Sequence, residues 1–302
     1  MEMHRLGRTE LTVSRLGVGL AEIGYELTPD DVLQAGRVLN AALDMGVNFL
    51  DTAACYGISE ELIGATVAGR RQEFILATKA GHVAGDYTGE PWTADTVRHS
   101  IERSLTRTRT DYLDLVQLHS CDVDVLEQGE VIEALLDARQ AGKTRFIGYS
   151  GDNEAAAWAV ESGLFDTLQT SFNLVEQKAR HGLLQAAKER DMGVITKRPI
   201  ANGAWGAAQS PSAYASQYWQ RAQAMAALGP LPPEAPDNPI LLALGFTLAH
   251  DEVDTAIVGT KNPDHLRANI HWVEEELPLA PEVVEELHRR FDELGGEWEQ
   301  LI

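Results

Sequence analysis

The sequence predicts an α/β fold: a single (β/α)₈ TIM barrel over residues 1–302 with an N-terminal β-hairpin, a long loop after strand 7 and a C-terminal helix. Eight short apolar segments alternate with amphipathic helical segments, and strand-then-helix repeats form parallel sheets. The rival doubly wound open sheet favours a G-x-G-x-x-G turn, which does not occur here. A chain of 302 residues could hold two domains, but single barrels reach this length.

Each predicted strand is a short run rich in aliphatic and β-branched residues, as expected for strands buried on both faces. The eight segments are 16–20, 47–51, 74–78, 112–118, 146–149, 167–171, 193–197 and 255–259. Helical spacing of apolar residues predicts helices over 31–45, 94–105 and 130–141. The predicted N-caps are Asp30, Thr93 and Asn262, and the glycines expected to end helices are Gly46, Gly142 and Gly193.

Three segments lie outside this repeat. Residues 1–15 alternate weakly in polarity, as a short hairpin would. Residues 201–239 form a long insertion that we expect to overhang the carboxyl ends of the strands as a functional or mobile loop. The chain ends in an amphipathic helix, whose apolar face carries Val283, Leu287, Phe291 and Leu294.

Charge and cysteine content argue against several classes of function. Lys and Arg number 25 and Asp and Glu 46, and the net charge of −21 argues against nucleic acid or an anionic membrane as partner. No apolar run approaches the roughly 18 residues of a membrane span, and the first residues lack the apolar core of a signal peptide. Because Cys55 and Cys121 are too few for a disulfide framework, we expect a cytoplasmic protein. His82 and His119 lack the ligand spacing of a zinc motif, so we expect no metal site.

Polar side chains stand at the carboxyl ends of neighbouring predicted strands, where barrels place their active sites. Asp51 ends the second strand, Tyr56 follows it, and Lys79 and His119 end the third and fourth. A tyrosine is a poor acid–base group near neutral pH, but a nearby ammonium lowers its pKa, and Asp51 would hold Lys79 charged. His119 could orient a carbonyl oxygen. This set of groups suits carbonyl reduction by hydride from a cofactor.

Each of these side chains also has a structural interpretation. Asp51 could cap a helix or turn, Tyr56 could pack at the barrel mouth, Lys79 could be solvated, and His119 could be a core histidine. Cys55 is interpreted as a small packed residue. Four aromatic residues expected in loops could line a substrate pocket or anchor packing: Trp92, Trp205, Tyr218 and Trp219.

Several segments carry a family resemblance. GVNFLDTAACYG (46–57), LATKAG (76–81) and DYLDLVQLHS (111–120) resemble signatures of the aldo-keto reductases. The resemblance begins at RLGRTELTVSRLGVG (5–19) and continues through IGYSG (147–151), LQTSFN (168–173) and VGTKNPDHLRAN (258–269). It implies a catalytic tetrad of Asp51, Tyr56, Lys79 and His119, with Tyr56 as the proton donor.

The resemblance also implies contacts with a nicotinamide cofactor. The carboxamide contacts fall on Ser150 and Gln169, although Gly151 stands where the family commonly has Asn. Lys197 occupies the position where many members stack an aromatic ring on the nicotinamide. No residue at that position can then stack on the nicotinamide, unless Trp205 or another loop aromatic substitutes.

The adenosine-end contacts implied by the resemblance fall on the last strand and helix. Gly259, Thr260 and Lys261 lie where the family binds the 2′-phosphate, and Asn269 lies where it contacts adenine. His265 stands where the family commonly has Arg. A lysine at a helix N-terminus also favours an anion on physical grounds, although it could be incidental. In so acidic a chain, a local group of basic residues indicates the binding site of a phosphate-bearing cofactor. These residues are Lys79, Lys197, Arg198, Lys261 and Arg267.

We therefore predict an NADPH-dependent oxidoreductase that reduces aldehydes or ketones, with NADH possible as cofactor and a small carbonyl compound as substrate. His119, where some family members carry Glu, favours carbonyl over carbon–carbon double-bond reduction. One alternative is a cofactor-sensing regulatory or binding subunit on the same barrel with slow turnover. Another is an unrelated barrel enzyme such as a hydrolase, because barrels host many chemistries.

Overall fold

Eight parallel strands form a closed barrel in the computed structural model, which describes residues 1–301. Each strand hydrogen-bonds to its neighbour in chain order, and the last strand pairs with the first, with Ala256 opposite Leu16. The predicted (β/α)₈ barrel is thereby confirmed. Its strands are β3 (Leu16–Gly19), β4 (Phe49–Asp51), β5 (Ile75–Ala80), β6 (Leu113–His119), β7 (Thr144–Ser150), β8 (Thr167–Ser171), β9 (Gly193–Lys197) and β10 (Thr255–Gly259).

Amphipathic helices surround the barrel because each buries its apolar side. The predicted helix over 31–45 is observed as α2, whose buried residues include Val38, Leu39 and Leu43 at helical spacing. The other two predicted helices are α4 and α6, and the predicted C-terminal helix is α12. The helices are α1 (Ala21–Glu26), α2 (Val32–Asp44), α3 (Ser59–Thr66), α4 (Ala94–Thr108), α5 (Val123–Gln128), α6 (Glu130–Gln140), α7 (Asn153–Ser162), α8 (Leu183–Glu189), α9 (Ser216–Ala226), α10 (Pro239–Leu248), α11 (Pro263–Glu275) and α12 (Pro281–Leu294).

Four of the predicted helix ends are observed. The Thr93 hydroxyl accepts a hydrogen bond from the backbone N–H of Thr96 at 3.2 Å, and Asn262 caps α11 through its side-chain oxygen. Gly46 and Gly142 adopt φ of 82° and 74°, the left-handed conformation expected after a helix.

Two predicted helix ends are wrong. Asp30 is not the cap; Thr28 and Asp31 form a reciprocal capping box around a short 3₁₀ turn that leads into α2. Gly193 is the first residue of β9. Asp191, with φ of 52°, makes the left-handed turn that follows α8 in its place.

The predicted N-terminal hairpin closes the amino end of the barrel. Strands β1 (Met3–Arg5) and β2 (Thr12–Ser14) pair antiparallel. Leu6, Leu11 and Val13 of the hairpin pack into one apolar cluster with barrel residues: Phe49, Ile75, Ala77, Leu115, Ile195 and Ile257. At Gly7, with φ of 51°, a Cβ would lie 2.0 Å from the backbone nitrogen of Gly193, so only glycine fits this approach.

The insertion over residues 201–239 is more ordered than the loop we expected, because it contains α9. Tyr218 and Trp219, predicted to lie in a loop, are on this helix. The helix is anchored to the barrel because its Arg221 forms a buried ion pair with Glu176, which follows β8.

Both cysteines are free, and their surroundings keep the thiols protonated. Burial raises the pKa of Cys55, and it raises the pKa of Cys121 to about 12. Among residues 1–301, no helix is long and apolar enough to cross a membrane. The same residues contain no group of three or more His, Cys, Asp or Glu side chains placed to hold a metal ion.

Candidate active site

The barrel brings an acid, an amine, an imidazole and a phenol to its carboxyl end. Asp51 ends β4 and His119 ends β6, while Lys79 lies within β5 and Tyr56 in the loop after β4. Since neighbouring strands are parallel, their carboxyl ends open on the same side. The structure thus gathers the four residues that the sequence singled out, and their catalytic role stays a prediction.

A buried ion pair forms the base of this site. Lys79 Nζ lies 2.6 Å from Asp51 Oδ2, and the two side chains are 1% and 3% exposed. Lys79 also donates to the carbonyl of Thr52 at 2.9 Å. Burial acts to lower the pKa of Lys79, but Asp51 and Tyr56 outweigh it and leave that pKa raised, so the amine is charged.

A hydrogen-bonded chain of side chains extends from this pair along two more strands. The Gln169 amide donates to Asp51 Oδ1 at 2.8 Å, and the Ser150 hydroxyl donates to Gln169 Oε1 at 2.8 Å. Asp51 therefore fixes Lys79 on one side and the β7–β8 polar residues on the other.

Tyr56 packs above the ion pair. Lys79 Nζ lies 4.9 Å from the centre of the Tyr56 ring. Burial raises the pKa of the Tyr56 phenol, while the Lys79 charge opposes the rise without overcoming it. Our expectation that Lys79 would lower this pKa below its ordinary value was wrong, because the loss of water around the ring outweighs the ammonium. The phenol is therefore protonated at neutral pH.

His119 lies edge-on to Tyr56, with the two ring centres 5.6 Å apart. Burial, followed by the positive charge of Lys79, lowers the pKa of His119 well below its ordinary value. The imidazole is therefore neutral and has one N–H to donate. Trp92 supports the backbone here, since its indole N–H donates to the His119 carbonyl at 3.0 Å. The ring of His82 stands 4.6 Å from that of His119.

A cavity of about 730 Å³ opens above these groups. Its lining includes eight of the twelve predicted site residues: Asp51, Tyr56, His119, Ser150, Gln169, Lys197, Arg198 and Gly259. Gly19 and Asn202, which were not predicted, also line it. The other four predicted residues are not part of this lining: Lys79 lies below it in the buried ion pair, Thr260 and Lys261 follow Gly259, and Asn269 is on α11. Trp205 is also absent from the lining, and Tyr25 and Tyr214 are the aromatic residues that face the cavity besides Tyr56 and His119.

The unexpected lysine at position 197 forms a second buried ion pair. Lys197 Nζ lies 2.8 Å from Asp152 Oδ2. Burial lowers the pKa of Lys197 despite this partner. Asp152 also accepts hydrogen bonds from the Thr170 hydroxyl at 2.8 Å and the Ser171 N–H at 2.7 Å. These contacts and Lys197 outweigh burial and leave the Asp152 pKa lowered.

Arg198 joins the barrel to the C-terminal tail. It has φ of 58°, and its guanidinium donates to the Leu301 carbonyl at 3.1 Å and to the Ser171 hydroxyl at 3.2 Å. A larger cleft of about 1680 Å³ shares Ser120, Arg198 and Tyr214 with the first cavity. It lies between α9 and the tail, so both border the open side of the candidate site.

Sequence reasoning missed two acidic residues of the site. Glu22 and Glu26, on α1, line the cavity near Gly259. The only signal in the sequence was their spacing of four residues directly after the first strand, and a six-residue helix is too short for a periodic apolar pattern.

The model of the aldo/keto reductase family matches residues 15–289 of the chain. The chain belongs to the aldo/keto reductase family. Aldo/keto reductases are oxidoreductases of carbonyl compounds that use nicotinamide cofactors and act on small molecules, which agrees with the class of reaction predicted from the strand-end residues.

Three relatives illustrate the similarity. The uncharacterized oxidoreductase YqkF of Bacillus subtilis (strain 168) is 29% identical over 287 residues, covering 89% of this chain and 90% of that protein. L-galactose dehydrogenase of Arabidopsis thaliana is also 29% identical over 287 residues, covering 91% and 89%. The holo form of aldo-keto reductase AKR11C1 from Bacillus halodurans is 27% identical, and it superposes with a TM-score of 0.83 over 96% of each chain.

Proposed function

We propose that this aldo/keto reductase is an NADPH-dependent reductase of aldehydes or ketones in which Tyr56 donates the proton. The observation that carries the proposal is the Tyr56 phenol. It is a protonated phenol at a cavity, 4.9 Å from the Lys79 ammonium and edge-on to the neutral His119 imidazole, with the two ring centres 5.6 Å apart. A positioned acid of this kind contributes about 10²–10⁴-fold to a rate.

The residues around the cavity fit a nicotinamide dinucleotide. Ser150 and Gln169 offer polar groups at its base, and Arg198 offers positive charge to phosphates. Among the described residues, the buried side-chain nitrogen of Asn202, which also lines the cavity, has no hydrogen-bond partner. An unpartnered buried donor on a residue of the cavity wall favours a ligand that carries acceptors.

In the proposed mechanism, the bound cofactor supplies the hydride and the protein supplies the proton. His119 donates a hydrogen bond to the carbonyl oxygen and orients it towards Tyr56. Tyr56 then releases its proton to that oxygen. The phenolate forms beside the Lys79 ammonium, which stabilises the new negative charge, and Asp51 keeps Lys79 in place.

The substitution Tyr56→Phe tests the proposal directly. We expect kcat for NADPH oxidation with a reactive aldehyde, followed at 340 nm, to fall about 10²–10⁴-fold. The dissociation constant for NADPH, measured by fluorescence titration, stays within about threefold, because the ring keeps its packing between Lys79 and His119. Hydroxylated aldehydes and sugars belong in the substrate panel, since one relative is an L-galactose dehydrogenase.

Tyr25→Phe is the matched control. Tyr25 lines the same cavity, its ring centre lies 5.8 Å from that of Tyr56, and its hydroxyl donates to the Cys55 carbonyl at 3.2 Å. This variant should keep turnover within a few-fold of the parent. Turnover of the Tyr56→Phe variant at a similar level would refute the role of Tyr56. Tight NADPH binding by the parent with a single turnover would point instead to a regulatory subunit.

A further inference from the structure

Two carboxylates of α1 bind the side-chain amine and the backbone N–H of Lys261. The Glu26 carboxylate is ion-paired with Lys261 Nζ, and these side chains are 51% and 42% exposed. One turn earlier, Glu22 Oε1 accepts a hydrogen bond from the backbone N–H of Lys261 at 3.3 Å. Glu22 and Glu26 line the cavity together with Gly259, at the end of β10.

Both groups of Lys261 that would attract an anion are therefore already in use. The other cation at the start of α11, Arg267, is also internally paired, with Asp264 Oδ1 at 2.8 Å. Exposed ion pairs of this kind are weak, so a phosphate that enters can displace the Glu26 carboxylate from Lys261. The displaced carboxylate nevertheless stays on the same cavity wall, where it repels the phosphate.

We propose that Glu26 is a specificity-determining residue whose carboxylate competes with the cofactor's 2′-phosphate for Lys261 and so weakens the preference for NADPH over NADH. Glu22 acts in the same direction through the Lys261 N–H. The inference rests on the proposed function, because it assumes that the cavity holds a nicotinamide dinucleotide with its phosphate end near Lys261.

The two cofactors differ in the charge that Glu26 would meet. A phosphate monoester carries about −1.5 to −2 charge at neutral pH, and only NADPH has one on the ribose. The pyrophosphate is common to both cofactors, so its interaction with Glu26 cancels in the ratio of their dissociation constants. Removing one negative charge several ångströms away in a partly exposed site changes binding of a single charge by about three- to tenfold.

The test is the ratio of the NADH to the NADPH dissociation constant, measured by fluorescence titration of the full chain without substrate. In Glu26→Gln we expect this ratio to rise about three- to tenfold, mainly through tighter NADPH binding. The increase should shrink at high salt, because exposed charges are screened. Glu22→Gln should raise the ratio in the same direction. Lys261→Gln should lower it, since the phosphate then loses its cation.

Glu102→Gln is the matched control. Glu102 also forms an exposed ion pair with a lysine, Lys143, and it is not part of the cavity lining. This variant makes the same change in net charge and should leave the ratio unchanged. An unchanged ratio in Glu26→Gln, with both cofactors still bound, would refute the role of Glu26 alone. Failure of the parent to bind either cofactor would refute the proposed function and this inference with it.

Discussion

Replacing Lys79 with Met removes the cation of the buried ion pair and should lower the free energy of unfolding by about 3 kcal/mol. The partner, Asp51, is 3% exposed and lies 2.6 Å from the amine. Breaking a buried pair on one side costs about 3–5 kcal/mol, because the remaining charge is left without compensation. Asp51 keeps the Gln169 amide at 2.8 Å, which places the loss at the lower end of that range.

The double variant Lys79→Met with Asp51→Asn should recover most of this loss, to within about 1 kcal/mol of the parent, because it removes both charges of this buried pair. Urea denaturation followed by circular dichroism measures all of these free energies. The pKa of Lys79 is raised in the folded protein, so its contribution is fully present below its ordinary pKa of 10.5 and is lost only above it. Titration of Lys79 itself therefore adds no pH dependence to the stability of the parent from about pH 6 to pH 9.

The control is Lys143→Met, which breaks an exposed ion pair with Glu102. The Lys143 and Glu102 side chains are 41% and 57% exposed. It should cost less than about 1 kcal/mol. An uncompensated Asp51 charge is refuted as the cause if the free energy of unfolding of Lys79→Met is within about 1 kcal/mol of the parent's, or if the double variant is less stable than the single one.

Two further predictions concern stability. Gly7→Ala should lower the free energy of unfolding by more than about 2 kcal/mol, since the new Cβ would clash with the Gly193 backbone. Gly129→Ala, at φ of 80° with open space around it, should lower it by about 1 kcal/mol. Equal losses of the two variants in thermal denaturation would contradict this. Glu60 is a buried residue of α3, and burial raises its pKa above its ordinary 4.5. The folded protein therefore holds that proton more tightly than the unfolded chain, and it loses stability as pH rises through the folded pKa. The urea midpoint of Glu60→Gln should therefore gain on that of the parent between pH 4.5 and pH 8, and a constant difference would argue against a penalty from Glu60.

The sequence was sufficient to predict the barrel and the neighbourhood of its four central side chains. Strand positions followed from short apolar runs, and parallel strands put their ends together whatever the details of packing. For that reason the sequence alone predicts that Asp51, Tyr56, Lys79 and His119 lie at the same end of the barrel. Their spatial grouping is a property of topology, which sequence periodicity encodes well.

Features that depend on solvent exclusion or on short elements could not be predicted. The direction of the Tyr56 pKa depends on how completely the loops cover the ring, and a local comparison with Lys79 gave the wrong sign. The Lys197–Asp152 pair joins two strand ends far apart in the chain. Helix α1 is too short for an apolar period, so Glu26 was not recognised as a neighbour of Lys261.

The pairing of β10 with β3 places a seam through one wall of the candidate site. Gly19 and Gly259 stand opposite each other across it, one from the first barrel strand and one from the last. During synthesis this wall is missing until β10 has left the ribosome, more than 200 residues after β3. Once formed, the seam is held by backbone hydrogen bonds, and a ligand bound across it would hold the two ends of the barrel together. Ligand binding should therefore slow amide hydrogen exchange along β3 and β10.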